Sequence, residues 1–574
     1  MKKLLIGNAA VARGAYEAGV RVACAYPGTP STEITEEISK YDEIYSEWSP
    51  NEKVALEVAI GASIGGARAI CCMKHVGVNV AADPLFTFSY TGVNGGLVLV
   101  CADDPGMHSS QNEQDSRRYA LAAHVPMLEP SDSQEAKDFT RLAFEISENY
   151  DTPAMLRLTT RVAHSQSVVE LSDPERVELK PYAKDAAKYV MVPANARERH
   201  KAVERRMKAL AEDCNGLPIN RIEYGDRSVG IICSGNVYQY VKEALPQASV
   251  LKLGMVHPLP QRLIREFAKN VEQLYIAEEL EPVIETQVKA MGISCKGKEL
   301  FTVQGEYSAG MIRQAITGEV EAALQPVLVP PRPPVLCAGC PHRGVFYVLN
   351  KLRLTVSSDI GCYSLGASKP LNAIDAVLCM GASIGMAHGM EKARGREFAR
   401  KAVAVIGDST FIHSGITGLI DAVYNKGNLT LIILDNSTTG MTGHQHHPAS
   451  GFTIKNEPTH LLNLEALCLA CGASSVRVVD SYDMEGLENA IKEETGRDGV
   501  SVIIARRSCV LLDKGRKNYY TVNAKCTNCK LCLRLGCPAI TSGEKASAID
   551  KSLCTACGLC KKVCRFGAVE EAQR

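Results

Sequence analysis

Residues 401–438, KAVAVIGDSTFIHSGITGLIDAVYNKGNLTLIILDNST, restrict the fold of this chain more than any other stretch. KAVAVI is a short apolar run rich in Val and Ile, and it stops at Gly407 as a buried strand does. Ile416, Leu419, Ile420 and Val423 then recur at helical spacing. LTLIIL is a second buried strand, and it stops at Asp435-Asn436. Strand, turn, helix and strand make one βαβ unit, which commits this region to a parallel α/β sheet. Two polar groups of residues, Gly407-Asp408-Ser409 and Asp435-Asn436-Ser437, fall at equivalent strand ends. Open α/β sheets bind ligands at the carboxyl ends of their strands. A carboxylate and an amide oxygen at neighbouring strand ends suit a hard cation such as Mg²⁺, which also takes phosphate oxygens. At this level an ordinary βαβ unit with polar caps would look the same.

The length of 574 residues leaves room for several domains. Lys+Arg and Asp+Glu balance at 64 each, so charge makes no case for nucleic acid or a membrane surface as partner. No apolar run is long enough to cross a bilayer. MKKLLIGNAAVARG begins like a signal peptide, but Arg13 and Gly14 interrupt its apolar part, and it reads better as a first strand leading into a helix. Of the 22 cysteines, many outside the tail sit in apolar runs such as AICCM and GIICSG. Those read as buried thiols in a reducing compartment, hence the cytoplasm, and not as a disulfide framework.

Up to about residue 165 helical and strand patterns alternate. VRVACAY ends in Pro27-Gly28-Thr29-Pro30, and Ser31-Thr32-Glu33 opens a helix. GLVLVCAD at 96–103 is a buried strand with acids at its end. NEKVALEVAIGASIGGARA carries a small-residue helix with Glu52 at its start, which by itself is an acid placed favourably at a helix N-terminus. The pentapeptide GASIG recurs at 381–385, as chance or as the trace of two copies of one fold. Residues 166–190 read as a connector, and RERHKAVERRMKALAEDC as a solvated helix. SVGIICSG, ASVLKLG and NVEQLYIAEE give a further α/β pattern, and PVLVPPRPPVL at 326–336 an extended linker. Cys337 and Cys340 form a CxxC with Cys362 nearby, and Cys468 and Cys471 lie on a core helix. With no fourth cysteine in evidence for the first group, a structural or cofactor-packing role is expected.

The tail reads Cys526-x2-Cys529-x2-Cys532-x4-Cys537-Pro, then Cys554-x2-Cys557-x2-Cys560-x3-Cys564. Three close thiolates and a distant fourth, twice over, is the two-cluster bacterial ferredoxin pattern. Two zinc sites are the alternative. By the ferredoxin pattern Cys526, Cys529, Cys532 and Cys564 hold one [4Fe-4S] cluster and Cys554, Cys557, Cys560 and Cys537 the other. The chain departs from it in having four residues before Cys537 and Arg after Cys564.

GDS at 407–409 and Asn436 resemble the GDG…N motif of thiamine diphosphate enzymes, with Ser409 in place of the second Gly. The resemblance implies Mg²⁺ held by Asp408, Asn436 and the carbonyl of Thr438, with Gly361, Cys362, Gly407 and Ser409 near the diphosphate. It also implies Glu52, in preference to Glu57, as the carboxyl beside the pyrimidine. Thiamine supports the loss of CO₂ from a 2-oxo acid, and iron–sulfur clusters take up electrons singly. A thiamine motif joined to a ferredoxin tail resembles the 2-oxoacid:ferredoxin oxidoreductases. CAGCPHRG, GDSTFIHSGITGL and NSTTGMTGHQHHP narrow this to the large subunits of the indolepyruvate type.

The fold class implied is α/β, a multidomain thiamine diphosphate enzyme with a C-terminal two-cluster ferredoxin domain. Its parts are a pyrimidine-binding domain (1–165), a transketolase C-terminal-like domain (190–325), the linker (326–336), a diphosphate and Mg-binding domain (337–515) and the ferredoxin domain (520–574). The activity implied is oxidation of indolepyruvate and related aryl pyruvates to aryl-acetyl-CoA and CO₂, with ferredoxin as acceptor and a smaller beta subunit as partner. Thr29 and Arg117 are the candidates for gripping the substrate carboxylate. A related 2-oxoacid:ferredoxin oxidoreductase, a non-oxidative thiamine decarboxylase and a bare electron-carrying subunit are the alternatives. The decarboxylase would not need the tail; the carrier would not need Glu52, Asp408 and Asn436.

Overall fold

The computed structural model describes residues 1–320, 329–330, 332–513, 515 and 518–573. It comprises two compact units, Met1–Val327 and Leu328–Arg574. Positions 326–328 and 331 of the expected linker lie outside the described residues, and 332–336 have no regular structure.

The first unit is built on a seven-stranded sheet in the order Met255–His257, Met127–Leu128, Ala154–Thr159, Leu97–Asp103, Ala69–Lys74, Val22–Ala25, Tyr45–Trp48. All pairs are parallel except the edge pair made by Met255–His257. The three central runs, AICCMK, LVLVCAD and AMLRLT, are buried at every position. A parallel sheet covered on both faces demands such unbroken burial. Lys2–Ile6 does precede a helix, Gly7–Glu17, but stands outside this sheet and pairs with Gln166–Glu170. A four-stranded sheet takes Gln273–Ala277, Asp226–Ser234, Ala248–Leu253 and Arg221–Glu223, as the later α/β pattern leads one to expect.

Two expectations fail here. The helix Pro193–Asp213 is not a solvated one: Val203, Met207 and Leu210 are buried, and Arg206 donates to the Asp151 and Ser89 carbonyls. A three-residue stripe at spacings of four and three is enough to dock it, although charged residues outnumber the stripe. The GASIG repeat is not a trace of duplication either. Its first copy closes the helix Glu52–Ile64, whereas the second opens the helix Ala382–Arg394.

The second unit carries a six-stranded, wholly parallel sheet: Ala376–Val377, Thr355–Ser358, Ala402–Gly407, Leu429–Asp435, Val500–Arg506, Ser475–Asp480. The central βαβ unit is present, with one difference. After Gly407 the chain makes a turn at Asp408–Thr410 and a π-helical turn at Phe411–Gly415 before the helix Ile416–Tyr424. That shift in phase leaves Ile420 48% exposed, while Leu419 is buried. The tail forms two antiparallel pairs, Asn518–Val522 with Val569–Gln573 and Ile540–Ser542 with Ser547–Ile549. Leu535, Ile540 and Leu559 of the tail share one core with Val345, Phe346 and Leu349 of the α/β domain. Each such buried side chain stabilises the junction by about 1.5–3 kcal/mol, which holds the tail firmly to the sheet domain. No helix among the described residues is long and apolar enough to cross a membrane.

Candidate active site and electron-transfer sites

Asp408 is 2% exposed at the end of its strand. Its carboxylate accepts N–H bonds from Ser409, Asn436 and Ser437 at 2.8, 3.1 and 2.8 Å. Burial works against its charge, but His447, whose Nε2 lies 3.4 Å away, and these N–H groups outweigh it and hold the carboxyl below its usual range. The Asn436 carboxamide lies 3.3 Å from Asp408 Oδ1 and 3.1 Å from the Thr438 carbonyl; turned one way its nitrogen donates to both, turned the other its oxygen joins theirs. Three oxygens converging with no proton between them repel one another unless a cation sits among them or the amide turns round. This donor set fits Mg²⁺, a hard ion that takes oxygen ligands. Ser409 is accommodated because it sits in a helical turn, where a Cβ costs nothing. Gly407 packs on Tyr363: a Cβ there would stand 2.7 Å from the ring. Gly361 packs on the same ring, and a Cβ at Gly440 would lie 3.5 Å from Cys362 Sγ and 3.6 Å from Asn436 Nδ2. Gly361, Cys362, Gly407 and the Asn436 loop are therefore neighbours.

In the first unit Glu52 is the first residue of its helix, capped by Asn51, whose side chain accepts from the Val54 N–H at 2.9 Å. It is not an exposed terminal acid, being 5% exposed and pressed against Gly77, where a Cβ would meet Glu52 Oε1 at 2.7 Å. Glu57 faces solvent and pairs with Lys53. Thr29 lies half-buried in the loop that leaves the strand Val22–Ala25. Arg117 requires a correction. Its guanidinium is buried and bound by Asp115 at 2.6 Å, by Glu278 at 2.7 Å, and by the carbonyls of Glu279 and Glu281. It clamps two parts of this unit together, with Nε, Nη1 and Nη2 each already bonded to an acid or a carbonyl. Two residues that periodicity does not single out, Lys74 and His75, lie at the end of the strand beside Thr29.

The tail cysteines line two small cavities of equal size, each about 20 Å³. The first is lined by Cys526, Cys529, Cys532 and Cys564, the second by Cys537, Cys554, Cys557 and Cys560. Among the described residues no three such side chains are already drawn to bonding distance of one point, so cavities and not bonds define the sets. The fourth cysteine of each motif faces the other motif's triplet. Backbone twist repeats between the motifs: Asn528 and Lys530 have positive φ, as do the equivalent Ala556 and Gly558. The extra residue before Cys537 is absorbed by Gly536 at φ +65°. Backbone N–H groups of Ala568 and Tyr520 donate to Cys564 and Cys554 sulfurs at 3.4 and 3.3 Å. Burial, then Cys557, Cys554 and Cys537, push the Cys560 thiol up to about 12.

A further cysteine, Cys509, lies near Cys362 of the CxxC group. Burial, and then Cys509 and Cys337, push Cys362 up to about 11; burial, and then Cys362 and Cys337 among its neighbours, push Cys340 up to about 12. Cys509 donates its N–H to the Asn436 carbonyl at 2.9 Å and lines a cleft with Cys557. Only the fold brings it there, from the far side of the sheet sequence.

Together these features define a thiamine diphosphate-dependent enzyme that passes electrons to iron–sulfur centres, the class of the 2-oxoacid:ferredoxin oxidoreductases. Three family models match: pyruvate flavodoxin/ferredoxin oxidoreductase, thiamine diphosphate-binding, at 13–212; thiamine pyrophosphate enzyme, C-terminal TPP binding domain, at 359–505; and 4Fe-4S binding domain at 548–570. The chain is 43% identical to indolepyruvate oxidoreductase subunit IorA of Archaeoglobus fulgidus, over 100% of this chain and 98% of that one. It is 41% identical to the subunit of the same name from Pyrococcus horikoshii, over 100% and 97%. This chain belongs to the indolepyruvate oxidoreductase subunit IorA family.

Proposed function

We propose that this chain is the thiamine- and iron–sulfur-bearing subunit of an enzyme that converts indolepyruvate and related aryl pyruvates, with CoA, to aryl-acetyl-CoA and CO₂, and delivers two electrons to ferredoxin. Full-length identity to the IorA subunits, with a thiamine motif and a double cysteine motif in one chain, carries this reading. Thiamine diphosphate, when bound, supplies the nucleophilic carbon that makes decarboxylation of a 2-oxo acid possible. Asp408, the Asn436 amide and the Thr438 carbonyl hold Mg²⁺ against the diphosphate. Glu52 holds and moves the proton at the pyrimidine ring. The Thr29 loop lines the substrate side. Two [4Fe-4S] clusters occupy the tail, and Cys337, Cys340, Cys362 and Cys509 have the donor chemistry for a further one beside the thiamine. No domain is left over for CoA, which is why a smaller beta subunit is part of the reading. A cytoplasmic setting would keep the 22 cysteines as thiols, none of them being in a disulfide.

The deciding experiment is an anaerobic panel of 2-oxo acids with both subunits, following acceptor reduction with and without CoA. Aryl pyruvates should lead the panel, CoA-dependently. Free aldehyde without acceptor reduction would mark a non-oxidative decarboxylase, and a different preferred acid another branch of the class.

The cysteine sets carry their own expectation. Cys537→Ser should perturb the electron paramagnetic resonance signal of the cluster held by Cys554, Cys557 and Cys560, and spare the other. Cys564→Ser should do the reverse. Damage confined to each mutated motif's own cluster would refute the crossed arrangement.

A further inference from the structure

Lys74 ends the strand Ala69–Lys74 and is 7% exposed, yet it forms no ion pair among the described residues. Its Nζ donates to the Ser109 carbonyl at 2.5 Å. Asp104 is the acid whose charge reaches it. That carboxylate is already engaged by the Ser109 N–H and by the hydroxyls of Ser110 and Thr160. Burial outweighs the help of Asp104 and draws the ammonium down to about 8. His75 follows, 1% exposed; the Asn112 backbone reaches its ring, which leaves at least one ring nitrogen unfilled among the described residues. A buried polar group left unpaired costs roughly 1–3 kcal/mol, and more when charged. A buried ammonium held by one carbonyl and no bonded acid, followed by an imidazole with an unfilled nitrogen, leaves this strand end open to completion by a ligand.

The surroundings say which ligand. Ala25 and Cys72 are register partners in adjacent parallel strands, so both chains leave the sheet side by side. A Cβ at Gly28 would stand 3.1 Å from Lys74 Cβ, which sets Thr29 beside the lysine. Gly77, two residues past His75, lies against Glu52. Lys74, His75, Thr29 and Glu52 thus share the ligand-binding edge of one parallel sheet. Arg117, the cation that the sequence suggests for this role, is engaged by Asp115 and Glu278.

We propose that Lys74 binds the carboxylate of the 2-oxo acid and that His75 hydrogen-bonds the same molecule. The inference deepens the function proposed above and rests on it. The ammonium supplies the counter-charge for the acid group, and Asp104 steadies it while no acid is bound.

The test uses the complete two-subunit enzyme. In Lys74→Met the KM for indolepyruvate should rise on the order of 10²-fold, with the KM for CoA, thiamine binding and iron content unchanged. Phenylpyruvate and its methyl ester, compared as competitive ligands, separate charge from shape. The wild type should prefer the acid strongly; Lys74→Met should lose that preference, and Lys74→Arg should keep most of it. An unchanged preference in Lys74→Met, or a shift in the KM for CoA alone, overturns the inference. Should Lys74→Met lose thiamine or iron, Lys74→Arg decides: loss of the acid preference with cofactors intact overturns it, and retention supports it. A wild type that oxidises no 2-oxo acid would instead bring down the functional reading itself.

Discussion

Replacing Glu52 by Gln should abolish turnover, by at least about 10²–10⁴-fold, while thiamine binding, iron content and fold persist. The side chains are nearly equal in shape, so the contact with Gly77 survives. What disappears is the exchangeable proton. A carboxyl against the pyrimidine ring can take up and return a proton during each cycle; a carboxamide cannot. The helix start does not depend on this acid, because Asn51 caps it through the Val54 N–H. Steady-state assays, with calorimetry for thiamine diphosphate and an iron count, separate lost chemistry from lost binding. Near-normal turnover in Glu52→Gln would end the assignment of Glu52.

Asp408→Asn should weaken thiamine diphosphate by about 10²-fold or more, roughly 3 kcal/mol, and remove the Mg²⁺ dependence of its binding. Asn keeps one acceptor oxygen, enough for the N–H groups of Asn436 and Ser437 or for that of Ser409, but not the negative charge. Without that charge the oxygens of Asn436 and Thr438 are left to hold a divalent ion by dipoles alone, and the diphosphate loses its bridge. Titration calorimetry with and without a chelator reads this directly. Wild-type binding that stays tight in chelator would contradict the Mg²⁺ site, whatever the variant does.

Much of this organisation was legible from spacing. GDS and Asn436 lie at the ends of two apolar runs, and strands that pair in parallel must bring such ends together. The CxxCxxC loops carry three ligands within one turn of chain, so their grouping is local; the crossing of Cys537 and Cys564 followed from the paired pattern. Corrections came where distance in sequence was large or where residue type misled. Charge alone marked the helix Pro193–Asp213 as solvated, and only its packing uncovered the three apolar residues that dock it. Arg117 looked available because the acid that completes its clamp, Glu278, comes from another sheet's strand end.

The sequence by itself determined the class of chemistry, because cofactor motifs and cysteine triplets are short segments whose backbone spacing sets their geometry. It also determined the parallel sheets, because burial on both faces requires unbroken apolar runs. Only the tertiary structure decided which cations are bound by acids, as Arg117 is and Lys74 is not, and which cysteine lies near the CxxC group. Those outcomes depend on what a side chain meets after the chain has folded back on itself, and a buried charge declares its purpose only through the partners it has or lacks.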